Sequence, residues 1–205
     1  MSASRRFTQT VWAAFQRNAG HDNTCFGHLK VTDAKPGRVW AKMEVQRHQS
    51  EPAFGPLRYA LMSRGRASEP RSDAWIDGNW RLTPSTCPPS PLQGLHGGVI
   101  ASLVDTMGSL ALASRGMYMT GVSIDMSQTF VRGAKLGQKV RVESEVVNMG
   151  KTLAYTRVEL LNHDTGKLLA YGSHTKYIAD AIKSDKNVKF SEDGETILEG
   201  VEPTE

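Results

Sequence analysis

Cysteine is nearly missing from this chain: there are two in 205 residues, Cys25 and Cys87, far apart and outside any Cys-x-x-Cys spacing. That excludes a disulfide framework and a thiolate zinc site, and it fits a reducing compartment. Long apolar runs are missing too. None approaches the roughly 18 residues that a membrane-spanning helix needs, and no signal-peptide core opens the chain, so neither a membrane protein nor a secreted one is expected. The six histidines show no His-x-x-x-His or Glu-x-x-His spacing, so no metal site is expected. No serine sits in a Gly-x-Ser-x-Gly elbow, which disfavours a Ser-His-Asp hydrolase. Blocks of Lys and Arg interleaved with aromatics are also absent, and a nucleic-acid platform is not expected.

What is present fits one globular core: 39% of residues are hydrophobic and 22% charged. The formal charge of +4 and a pI near 9.1 favour anionic partners without choosing among them. Arg5, Arg6 and Arg17 precede the first acid, Asp22, in the manner of a mitochondrial transit peptide. Val11, Trp12 and Phe15 nevertheless recur at helical spacing, which predicts a structural helix. The expected location is cytoplasmic or mitochondrial.

The chain divides into four stretches. Residues 1–49 hold the helix just described and CFGHLKVTDAKPGRVWAKMEV, two strand-like runs joined by Asp33, Ala34, Lys35, Pro36 and Gly37, hence a hairpin. Residues 50–91 scatter prolines and tryptophans with no period of 2 or 3.6, and read as an atypical insertion without fixed structure. Either a lineage-specific loop or translated intron sequence would look like this. Residues 92–180 are regular, and the charged tail 181–205, lacking periodicity, is expected to be flexible.

Within 92–180, Ile100, Leu103, Val104, Met107, Leu110 and Ala111 fall on one face of a helix, with Gly116 as its expected C-cap. The opposite face carries Gly98, Ser102, Asp105 and Ser109. These side chains are all short where a solvated face would show Lys, Glu or Arg, so a second backbone or a ligand can approach. Four strand-like runs follow, GVSIDMSQTFV, KVRVESEVVNM, TLAYTRVELLN and KLLAYGSHTKYIA, with connections short enough to predict an antiparallel meander. The expected class is α+β, a curved antiparallel β-sheet wrapped around one long central helix.

LHGGVIASLVD, GVSIDMSQTFV, GAKLGQ, MGKTLAYT and DTGKLLAYGSHTK, in that order, resemble the hotdog-fold thioesterases of the phenylacetate-type branch. The resemblance is weak over residues 5–48 and strong over 92–178. It implies a thioester hydrolase acting on fatty or aryl acyl-CoA, with sites at a dimer interface and dimers commonly paired into homotetramers. No cofactor is implied, since CoA is part of the substrate. Thioester hydrolysis needs an oxyanion stabiliser, a nucleophile or base, and a seat for the CoA phosphates.

His96-Gly97-Gly98 opens the helix, so its N–H groups are unpaired and carry the positive end of the helix dipole. The resemblance gives the carbonyl-polarising amide to Gly97 and thioester positioning to His96. It makes Asp105 the nucleophile or general base, acting against Gly97 of the other subunit, and Ser123 the serine that holds water or carboxylate. For CoA it points to Phe130, Arg132, Gly133 and Lys135 in one loop and Gly150, Lys151 and Thr152 in another. Glycines there let phosphates near the backbone, and the basic residues supply charge. GKT is not a P-loop, because its setting is strand-turn-strand. One departure stands out: the family asparagine six residues before the histidine is Ser90 here. A catalytically impaired hotdog protein that binds acyl-CoA or a partner without turnover is the alternative expectation.

Overall fold

The computed structural model describes residues 1–17, 21–46, 49 and 94–202. The insertion 50–91, with Ser90 and Cys87, lies outside the described residues.

The first helix, α1 (Ala3–Arg17), buries Phe7, Val11 and Trp12 on one side, as their spacing predicts. A short helix, α2 (His21–Phe26), follows and seats Phe26 in the core. Strands β1 (Lys30–Lys35) and β2 (Arg38–Glu44) form the expected hairpin. Its turn is tighter than the sequence indicates, because Asp33, Ala34 and Lys35 stay paired in β1 and Gly37, at φ 83°, carries the reversal.

Helix α3 (Gly97–Ala113) is central, and all six of its predicted core residues are buried. In its second half Ser109, Leu112 and Ala113 are buried as well, so the helix is enclosed nearly all round. It is capped by Ser114 rather than Gly116, which turns the chain two residues later at φ 96°.

Strands β3 (Val122–Phe130), β4 (Lys139–Met149), β5 (Leu153–Asn162) and β6 (Leu168–Tyr177) complete one six-stranded antiparallel sheet in the order β1-β2-β4-β5-β6-β3. The expected four-strand meander is therefore corrected. Only β4, β5 and β6 follow one another, and β3 sits at the far edge beside β6. The loop Val131–Gln138 is long enough to cross the end of the sheet: Val131 and Arg132 donate to Leu169 O, while Gln138 O accepts from Val45 N. On its way it clamps the entry to α3, where Leu95 N donates to Ala134 O at 2.8 Å. Short connections alone did not reveal that crossover.

Two glycines set how closely α3 lies on the sheet. A Cβ on Gly172 of β6 would meet Val104 Cγ2 at 2.8 Å, and one on Gly108 of α3 would meet Thr156 Oγ1 at 2.6 Å and His174 Nδ1 at 2.9 Å. At each glycine the bare backbone of one element receives side chains of the other, which brings the β6 side chains against α3.

The tail also differs from expectation, since it is folded through residue 202 rather than flexible. A 3-10 turn (Ala181–Lys183) leads to a hairpin of β7 (Lys189–Phe190) and β8 (Ile197–Glu199). Phe190 packs edge-on to Phe7 with centroids 5.7 Å apart. Gly194 O and Glu195 O accept from the N–H groups of Ser4 and Ala3, satisfying the first turn of α1. Strands of two and three residues are too short to show a period, which is why the charge pattern masked them. Among the described residues no helix is long and apolar enough to cross a membrane.

Candidate active site

His96 is the N-cap of α3. Its backbone is extended, at φ −66° and ψ 139°, and its Nδ1 accepts from Gly98 N at 2.9 Å. Its carbonyl takes the N–H groups of Val99 and Ile100, and its own N–H goes to Gln49 O at 2.8 Å. Gly97 N–H is left over, with no acceptor among the described residues, at the positive end of a 17-residue helix. The histidine thus satisfies its neighbours and isolates one amide. The Gln49–His96 bond also brings together the two ends of the chain that flank residues 50–93.

Phe130 lies beside this turn. A Cβ on Gly97 would stand 3.4 Å from Phe130 Cζ, and an isolated bridge pairs Gly94 with Lys135. One protomer therefore brings His96, Gly97, Phe130 and Lys135 together. Arg132 donates to Leu168 O at 3.0 Å, and Gly133 faces open space, with no atom within 4 Å of an added Cβ. The second predicted loop, Gly150, Lys151 and Thr152, is the exposed β4–β5 turn. Thr152 O accepts from Ile178 N just past the end of β6, where Tyr177 pairs with Val122. That is the end of β3 opposite Phe130, so the two CoA candidate loops are far apart within one chain.

Asp105 belongs to the second cluster. Its carboxylate is half exposed, and Ser123 Oγ donates to Oδ1 at 3.3 Å. Ser123 could have faced the other way, since by alternation it shares the outward parity of Asp125. A bulge between Ser123 and Asp125 breaks that parity: Ser123 pairs with Lys176 and Met126 with His174, and both serine and methionine share the helix side. Behind Ser123, His174 Nε2 stands 2.9 Å from its Oγ and 3.5 Å from Asp105 Oδ1. Lys176 Nζ lies 3.9 Å from the same carboxylate oxygen and donates to Ser109 Oγ at 2.6 Å. Every one of these contacts goes to Oδ1, and Oδ2 is free of hydrogen bonds among the described residues.

His174, Lys176 and Asp22 are absent from the predicted set. The signal for the first two was in β6, where Gly172, His174 and Lys176 take the core-facing register that Ala170 begins. Polar residues in that register mark a site, not a core. Burial pushes the His174 imidazole below its usual value, and the Lys176 ammonium pushes the same way against Asp105 and Asp125. Burial also lowers Lys176, opposed by Asp105 and then Asp22. Asp22 accepts from Thr106 Oγ1 at 2.7 Å and His21 Nε2 meets Ser102 Oγ at 2.8 Å, so α2 docks on the small-residue face of α3.

A cleft of about 390 Å³ opens here, lined by Phe15, Asp22, Asp105, Ser109, Ser123 and Lys176 among others. A second hollow, about 170 Å³ on the outer face of the sheet, holds the surface pairs Arg38–Glu145 and Arg157–Glu159 and none of the residues above. Among the described residues no cluster of three His, Cys, Asp or Glu could hold a metal ion.

A helix-capping amide turn on a wrapped sheet, with a carboxylate two turns along the helix, can polarise a carbonyl and supply a base or nucleophile. Residues 92–169 match the Thioesterase superfamily model. A Schizosaccharomyces pombe protein that carries an esterase name is 30% identical over 182 residues, 88% of each chain. Human acyl-coenzyme A thioesterase 13 is 45% identical over 86 residues, 42% of this chain, and the match spans only 61% of that relative's length. The crystal structure of zebrafish thioesterase superfamily member 2 superposes with a TM-score of 0.58 at 26% identity, over 83% of this chain and 94% of that one. The chain belongs to the thioesterase superfamily and is by class a thioester hydrolase.

Proposed function

We propose that this protein hydrolyses fatty or aryl acyl-CoA to the free acid and CoA, in two equivalent sites at the interface of a homodimer. The observation that carries this is a separation within one chain. Gly97 and Asp105 are eight residues apart on one helix, a rise of about 12 Å, more than one thioester carbonyl can bridge. A second protomer must supply one of the two groups. Edge strand β3 is suited to meet it, because Val122, Ile124, Met126 and Phe130 are exposed along it and its outer edge is unpaired among the described residues. A two-fold axis there runs β3 antiparallel to its copy and brings Phe130 and Gly97 of one protomer toward Ser123 and Asp105 of the other.

In that arrangement Gly97 N–H stabilises the oxyanion as the carbonyl turns tetrahedral, with the dipole of α3 behind it. Asp105 Oδ2 attacks the carbonyl or takes the proton of the attacking water, while Ser123, backed by His174, holds Oδ1. The C–S bond breaks, and CoA leaves as thiolate and takes up the proton released by the water; where Asp105 itself attacks, the acyl–aspartyl anhydride so formed is then cleaved by water, which frees the acid and restores the carboxylate. Phe130, Arg132, Gly133 and Lys135, with Gly150, Lys151 and Thr152 of the other protomer, receive the CoA moiety, the basic residues meeting its phosphates. The acyl-CoA name of the human relative supports this choice among thioesters.

The test is free-thiol release from a panel of acyl-CoAs. Asp105→Ala is expected to lower kcat by about 10²-fold or more against the preferred substrate. Full activity in that variant removes the role of Asp105, and no release from any acyl chain leaves a protein that binds acyl-CoA without turnover.

A further inference from the structure

Lys176 is 4% exposed, and a lysine so enclosed is costly unless its charge is used. It stands in the inward register of β6, with its Nζ on Ser109 Oγ at 2.6 Å and 3.9 Å from Asp105 Oδ1. The cavity on which it opens also holds Asp22 and Ser123. We propose that Lys176 is a positioning residue of the hydrolytic site, whose ammonium, fixed on Ser109, pins the Asp105 carboxylate beside Ser123 and confronts His174 with a positive charge. This rests on the hydrolase function above and adds a residue to it.

The physical reasoning begins with His174. Its Nδ1 is buried without a hydrogen-bond partner among the described residues, so the proton of a neutral ring belongs on Nε2, where it reaches Ser123 Oγ. Ser123 then gives its own proton to Asp105 Oδ1. Protonation of the ring would add its proton at Nδ1, a buried donor without an acceptor among the described residues, and would put a positive charge beside Asp105, 3.5 Å from Nε2, that draws off the charge Oδ2 needs.

The groups around the ring are countable. Asp105 of α3 and Asp125 of β3 favour the imidazolium, Lys176 of β6 opposes it together with burial, and β5 contributes only the neutral Thr156. Among the described residues Lys176 is the single cation in that set. Burial pushes its own ammonium toward the neutral form, and Asp105 and, from α2, Asp22 oppose that. Phe15, from α1, adds no charge to the cleft.

Lys176→Met and Lys176→Gln test this, with Lys176→Arg as the charge-keeping control. The first readout is the NMR titration of the His174 imidazole in the folded protein, which needs no turnover. The second is kcat and kcat/KM against pH for thiol release. In Lys176→Met the His174 midpoint is expected to rise, the acid limb of kcat to move up in pH with it, and kcat to fall about tenfold with KM little changed. Lys176→Arg should restore the wild-type profile in part.

A strut for the fold would instead lower the folded fraction and leave midpoint and pH profile where they were. A His174 midpoint unmoved in both Met and Gln variants overturns the proposal whatever the activity. If wild type releases no thiol while the midpoint moves as expected, the hydrolase function fails and the electrostatic role of Lys176 stands.

Discussion

Gly108→Ala should weaken both the fold and the site, against the ordinary rule for helices. In an exposed helix interior this exchange stabilises by about 1 kcal/mol, since glycine is the poorest helix former after proline. Here the added methyl would sit 2.6 Å from Thr156 Oγ1 and 2.9 Å from His174 Nδ1, distances that real Cβ atoms essentially never show. Neither neighbour can yield freely. Thr156 is buried and bonded to His174 O at 3.2 Å, and His174 is buried with its far nitrogen on Ser123. Overpacking of this kind costs about 1–3 kcal/mol, so the net effect should be a loss of about 1 kcal/mol. Activity should fall further than stability, because a ring pushed away from α3 leaves the 2.9 Å contact that steadies Ser123. Urea unfolding and thiol release on the same preparation separate the two effects. A variant more stable than wild type, with unchanged kcat, would refute the close packing of α3 on β6 and with it the placement of His174.

Two further outcomes follow from other contacts. Phe190→Ala removes the partner of buried Phe7 and loosens the hairpin that caps α1, so it should cost about 2 kcal/mol in urea unfolding while leaving kcat at the unchanged site near wild type. Stability should also fall as pH drops below about 6.5, because His174 is depressed in the folded state and the unfolded chain takes up its proton first. Urea midpoints measured against pH should therefore slope downward on the acid side, and His174→Gln should remove part of that slope. A curve with the same slope in both proteins would contradict the burial of a neutral imidazole.

The fold class was readable because α3 and the strands β4, β5 and β6 are long and strongly patterned. Three to four turns of apolar residues at helical spacing, and alternation over ten residues, leave few alternatives. The order of the strands was not readable, because a short loop can either reverse a strand or carry it across the end of a sheet. The decision lies in backbone bonds such as Leu95 N to Ala134 O. His96, Gly97, Asp105 and Ser123 stood out through motif and through an unusually small-sided helix face. Ser123 itself depends on a one-residue bulge that no pattern of side chains announces. His174 and Lys176 were visible only as polar residues in an inward register, and that register becomes defined once β6 is known to lie under α3. The hairpin of the tail, built on two- and three-residue strands and single contacts such as Phe190 on Phe7, left no periodic trace.

The claim on which the rest depends is that each site is shared between protomers, and mixing two inactive variants tests it most directly. Gly97→Pro deletes the one amide: proline suits the first position of a helix, and His96 already has the extended backbone that must precede it. Asp105→Ala deletes the carboxylate. Each should be nearly inactive alone. After the two are dissociated, mixed equally and reassociated, half the dimers are mixed and each carries one intact site of two, so about a quarter of wild-type thiol release should return. Mixtures that stay as inactive as their parents, with mixed dimers demonstrably formed, would place amide and carboxylate in separate or single-chain sites and contradict the account.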